Sequence, residues 1–184
     1  MRTATDEYKF GVTVEALPWQ EAMPEPQGNI EVRVTFDGEI FDYHTVSLPN
    51  LIRSAIYPGE YEILTCTCGQ GPCTGIYDGI VVLYSAEDGD VRWFVPHPIS
   101  QRSSNFSANV TMYRTISLGN LADYRTTILS AADAALELFS NPPFPVEFVP
   151  STDVRFIQRL REALVDPPLP VRLSYFDLMP ETFP

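Results

Sequence analysis

Histidine and lysine are nearly missing from this sequence: there are two histidines and one lysine in 184 residues, and arginine fills the other eleven basic positions. So few imidazoles leave little material for general acid–base chemistry or for a histidine-rich metal centre. Cysteine is scarce too. All three, Cys66, Cys68 and Cys73, fall within eight residues, and an odd number without an export signal argues against a disulfide framework. The opening MRTATDEYKFG lacks the apolar stretch of a secretory signal, and no apolar run approaches the ~20 residues of a membrane span, so a cytoplasmic protein is expected. Nucleotide-binding signatures are absent as well. Gly69, Gly71 and Gly75 give G-x-G-x3-G, which misses the dinucleotide fingerprint and precedes no helical pattern.

Acid is what the chain has in excess. Asp plus Glu number 24 against 12 Lys plus Arg, for a formal charge of -12. Residues 1–92 hold 15 acids and 5 bases, whereas residues 93–184 hold 9 and 7. Such a surface repels phosphate backbones and anionic lipid, so no direct nucleic-acid or membrane binding is expected; a basic protein partner suits it instead. With 45% hydrophobic residues the chain is an ordinary globular one, long enough for a single domain over 1–184 that needs no staple.

Alternation at Val12, Val14 and Ala16 predicts a strand over 10–17. Pro18, Pro24, Pro26 and Gly28 then make 18–29 a proline-rich acidic loop. Ile30, Val32, Val34 and Phe36 share a face, and Asp37-Gly38 predicts a tight turn, hence a hairpin from about 30 to 43. Ser47 is placed to cap a short helix lying across that hairpin, with Leu48, Leu51, Ile52 and Ala55 inward. Strands are expected over 61–67, 77–85, 91–95 and 106–116. With Asp88-Gly89 as a two-residue turn, His97 lies across from Ile80. Asn120 caps a long helix with the stripe Leu121, Ala122, Ile128, Leu129, Ala132, Ala135, Leu136 and Phe139. Ser151 caps another, in which Val154, Ile157, Leu160 and Leu164 face inward, and 166–184 is a proline-rich C-terminal extension. Strands first and long helices late imply an α+β fold: an antiparallel sheet of about 6–7 strands in hairpins, with two long C-terminal helices packed on one face.

Chemistry has one place to gather, the stretch TCTCGQGPCTGI over 65–76. Its C-x-C-x4-C spacing could hold zinc through Cys66, Cys68 and Cys73 with His97 as fourth ligand, although it matches no zinc-finger, ribbon or knuckle pattern. The reading preferred over zinc is that the thiols are small buried hydrophobes at a sheet corner. A catalytic cysteine would need a nearby base that the two histidines hardly supply, so no catalytic residue is assigned. Trp19, flanked by Pro18, Glu21 and Glu25 on a loop, suits an interface anchor for a basic partner, and Glu87, Asp88 and Asp90 form a second acidic group.

Thr65 to Gly75, the strand Ile80 to Tyr84 and Trp93 on the next strand resemble an element of bacterial proteins with a TCxCGxxxCxG stretch. Such small acidic proteins look like immunity partners of bacterial toxins, and the resemblance implies that role. The expectation is therefore a non-enzymatic protein that neutralises a basic partner, possessing no required cofactor. The alternatives are a zinc-stabilised structural or interaction domain and an inhibitor that mimics nucleic acid.

Overall fold

A computed structural model describes residues 6–18, 28–41, 45–65, 79–85, 89–97, 112–145 and 154–166, with the backbone alone for 6–7, 97 and 112–114. The strands are β1 (Asp6–Glu7), β2 (Phe10–Pro18), β3 (Gly28–Phe36), β4 (Glu39–Ile40) and β5 (Thr45–Val46). Helix α1 (Leu48–Ile56) follows, then β6 (Gly59–Tyr61), β7 (Leu64–Thr65), β8 (Ile80–Tyr84), β9 (Asp90–His97) and β10 (Met112–Asn120). Helices α2 (Leu121–Ser140) and α3 (Val154–Val165) complete the order. The fold is mixed α+β, but the strands divide into three sheets, β1-β10-β9-β8-β6, β2-β3-β4 and β5-β7, where one sheet was expected. Ten strands are described where about 6–7 were expected, and the three described helices are the short one expected after Ser47 and the two long ones.

The β2–β3 ladder is continuous from Phe10↔Phe36 to Pro18↔Gly28, so Val12, Val14 and Ala16 meet Val34, Val32 and Ile30 on one face. Pro18 and Gly28 thus belong to strands and not to the loop. Proline is tolerated there because, among the described strands, β2 ladders with β3 alone, and its missing N–H falls at a strand end. The Asp37-Gly38 turn is as expected: φ is +54° and +86°, the pair of positive values that a type I′ hairpin needs. The Lys9 N–H donates to Asp37 Oδ1 at 2.9 Å and fixes the turn against β2.

The single sheet fails at Glu62. Ile63 N–H donates to the Tyr61 carbonyl at 2.9 Å, a three-residue turn that kinks the expected 61–67 strand. Tyr61 therefore pairs with Ile80 while Leu64 pairs with Val46, in a different sheet. The β8–β9 hairpin also departs from the two-residue turn, which would set Val82 against Val95. Val82 lies opposite Trp93 instead, because Ser85 N–H closes on the Asp90 carbonyl at 2.8 Å around a longer loop ending in Gly89 at φ +73°. His97 consequently pairs with Met112 of β10, and its expected position across from Ile80 is not found. β1 runs parallel to β10, so the larger sheet is not wholly antiparallel.

Helix α1 rests on α2, α3 and β6, and not across the first hairpin. Its N-cap Ser47 makes no side-chain cap bond; with proline among the first two helical positions, the first turn offers one N–H fewer. At the other end, three side chains from elsewhere satisfy carbonyls that a helix terminus leaves open. Arg125 Nε donates to the Ala55 carbonyl at 2.9 Å, Tyr84 Oη to that of Ser54, and Tyr61 Oη to that of Tyr57 at 2.9 Å. The Arg125 cation also faces the negative end of the helix dipole. For α2, Asn120 caps as expected, accepting from the Asp123 N–H at 2.9 Å. Its buried face is Tyr124, Ile128, Ala131, Ala132 and Ala135, whereas Ala122 of the expected stripe is exposed.

Trp93, wholly buried, joins the layers. Its ring lies edge-on to Phe10, Phe36 and Tyr124 at centroid distances of 5.6, 6.2 and 6.4 Å. A directional hydrogen-bond chain runs through the same place. Trp93 Nε1 donates to Tyr124 Oη (3.1 Å), Tyr124 to Ser54 Oγ (2.8 Å), and Ser54 to the Leu51 carbonyl (2.6 Å). Burial holds the Tyr124 and Tyr84 hydroxyls far above their ordinary pKa of 10.0, and raises that of Tyr61. The folded state therefore keeps protons that the unfolded chain releases above about pH 10. Stability should hold below that pH and fall as pH rises beyond it, by up to about 1.4 kcal/mol per pH unit per tyrosine. Denaturant midpoints measured from pH 8 to 11.5 check this; Tyr124→Phe should flatten the decline.

Candidate functional site

Helix α2 and strand β2 run side by side in the same direction. Phe10 at the start of β2 touches Tyr124 at a ring separation of 5.0 Å, while Pro18 at its end pairs with Gly28, which meets the chain just past α2. There Gly28 N–H donates to the Pro145 carbonyl at 3.2 Å, with Phe144 packed over Gly28. The helix, 20 residues long, spans about 30 Å.

The two acidic groups expected to bind a partner are attached at opposite ends of this helix. Trp19, Glu21 and Glu25 belong to the connection between Pro18 and Gly28, and lie outside the described residues. Glu87 and Asp88 also lie outside them, but Asp90 opens β9 opposite Asn120, and Leu121 N–H donates to the Gly89 carbonyl at 3.1 Å. Asp90 therefore sits beside the N-terminus of α2, near Asp123, and the anchors of the other group are near its C-terminus.

Between those ends, the outer face of the β2–β3 ladder carries a pair the alternation pattern did not single out. Glu15 and Glu31 are directly opposite each other, an arrangement that like charges disfavour. Glu31 is neutralised on its own strand: Arg33 Nη2 and Nε donate to Glu31 Oε2 at 2.7 and 3.2 Å, and Asn29 Nδ2 approaches Oε1 at 3.4 Å. Glu15 is exposed and has no ion pair with a described residue. Asp37 and Glu39 add exposed carboxylates at the hairpin tip, next to exposed Ile40.

Cys66, Cys68 and Cys73, the expected zinc ligands, lie outside the described residues, as does the His97 side chain. Among the described residues, no group of three or more His, Cys, Asp or Glu is gathered to hold a metal, and no helix is long and apolar enough to cross a membrane. The buried Ser54 hydroxyl is bonded to Tyr124 Oη and the Leu51 carbonyl, and with neither an imidazole nor a carboxylate among these partners it acts as a structural link between α1 and α2. No protein-family model, curated protein or solved structure matches the chain.

Proposed function

We propose that this protein is a non-enzymatic, acidic binding protein that neutralises a basic partner by direct contact, as an immunity protein does for a bacterial toxin domain. The observation supporting this is where the charge resides in the folded elements. Among the described residues, those before position 93 comprise nine acids and four bases, and those after it five acids and five bases. The acid excess among them therefore belongs to the strands and the turns between them, since α1 carries Arg53 and no acid, and the two long helices taken together are balanced. Fields of this kind speed encounter with an oppositely charged protein by roughly 10 to 1000-fold and reject like-charged ligands.

Affinity capture from the native lysate, with the wild type and a charge-reversed form side by side, tests the proposal. The reversed form carries lysine at Glu21, Glu25, Glu87, Asp88 and Asp90. The wild type is expected to retain a basic polypeptide at low salt and release it at high salt, and the reversed form to retain none. Recovery of no basic protein, or equal recovery by both forms, would sink the proposal.

A further inference from the structure

Among the described residues, the hydrogen-bond parity of the β2–β3 ladder leaves one edge of β2 open. Asp37 N–H donates to the Lys9 carbonyl at 2.9 Å, so the odd-numbered residues of β2 turn their amides and carbonyls toward β3. On β3 the even-numbered residues turn the other way: the Val34 carbonyl accepts from Phe41, and Gly28 N–H donates to Pro145. By the same alternation, the N–H and C=O groups of Phe10, Val12, Val14 and Ala16 point away from β3. β2 pairs with no other described strand, and these groups bond no other described residue. A nine-residue edge is long to leave unpaired, because such a row templates the addition of a strand.

We propose that this edge receives an extended segment of the basic partner, which adds as an antiparallel strand beside β2. The pleat dictates the chemistry of that segment. Alternate residues would lie on the outer face beside exposed Thr13 and Glu15, and the others on the inner face beside half-buried Val12, Val14 and Ala16. Lysine or arginine suits the outer positions, since Arg33 is already committed to Glu31 and Glu15 is left to attract a cation. Small apolar residues suit the inner ones. A second copy of this chain is a poor occupant, because it would bring another Glu15 to the same edge on a molecule of charge -12. The inference rests on the basic-partner proposal and adds how the partner is gripped.

The probe is a blocked octapeptide alternating lysine and valine, added to the full chain at low ionic strength while amide hydrogen exchange is followed residue by residue. In the free protein the Val12, Val14 and Ala16 amides should exchange much faster than those of Thr13 and Glu15; with peptide they should slow by roughly ten-fold or more. In an antiparallel pair the inner-face valines of the peptide point their amides at β2. N-methylation of the valines should therefore abolish this protection, and N-methylation of the lysines should leave it. If both methylated peptides bind as the parent does, charge alone is responsible; strand addition is then wrong while the basic-partner proposal stands. Protection of these amides already in the free protein means that the edge is covered, and also overturns the inference. Failure of the parent peptide to bind at all counts against both.

Discussion

Replacing Trp93 by alanine should cost about 3–5 kcal/mol of stability, the largest effect expected of a single substitution in this protein. Its indole is fully buried where the two larger sheets and α2 meet, and its removal opens a cavity between Phe10, Phe36 and Tyr124. It also takes the donor from Tyr124 Oη. Trp93→Phe separates these contributions: most of the ring volume stays, the N–H is lost, and about 1–2 kcal/mol is expected. Tyr124→Phe strands both Trp93 Nε1 and a lone pair of Ser54 Oγ, at about 1–3 kcal/mol. Combined with Ser54→Ala it should cost less than the two singles together, because both remove one hydrogen bond. Urea denaturation of this set measures all of it. Additive costs would mean that the chain of hydroxyls is not coupled as its geometry implies.

The second large effect belongs to Gly28. A Cβ on this residue would stand 2.1 Å from Phe144 Cε2 and 2.3 Å from the Leu17 carbonyl oxygen. The phenyl ring can rotate away, but the carbonyl is fixed by the ladder that joins Leu17 to Asn29. Gly28→Ala should therefore cost about 1–3 kcal/mol through overpacking. In a Phe144→Ala background only part of that should return, since the clash with the backbone persists. Gly79→Ala, whose nearest obstacle is the flexible Glu60 side chain at 2.7 Å, should cost less. Thermal unfolding of the four variants checks the order. Gly28 also anchors the connection that carries Trp19, Glu21 and Glu25, so its alanine variant should weaken partner capture where the Gly79 variant does not.

What could be read from the sequence was local. The Asp37-Gly38 turn, the strand beginning at Phe10 and the Asn120 cap all depend on residues within a few positions of one another, and all three are present. What could not be read depends on distant pairing. Nothing in YEILT announces that Tyr61 joins Ile80 while Leu64 joins Val46, because both halves have strand patterning and the break is a single turn at Glu62. Tyr124 stands outside the apolar stripe of the helix because its hydroxyl reads as polar; only the distant Ser54 and Trp93 make it a core residue. Glu15 and Glu31 are ordinary solvent positions until the ladder sets them opposite each other. The acidic character of the first half was legible at once, since composition carries it, but its arrangement along β2 and around α2 was not.

The proposal of an acid-steered binding protein is tested most directly by the association rate constant with the captured partner, measured by stopped flow as ionic strength is raised. The rate is expected to fall steeply with salt, and the form reversed at Glu21, Glu25, Glu87, Asp88 and Asp90 should start at least roughly ten-fold slower with a much flatter dependence. A rate that is indifferent to salt, or equal in the two forms, would contradict the account.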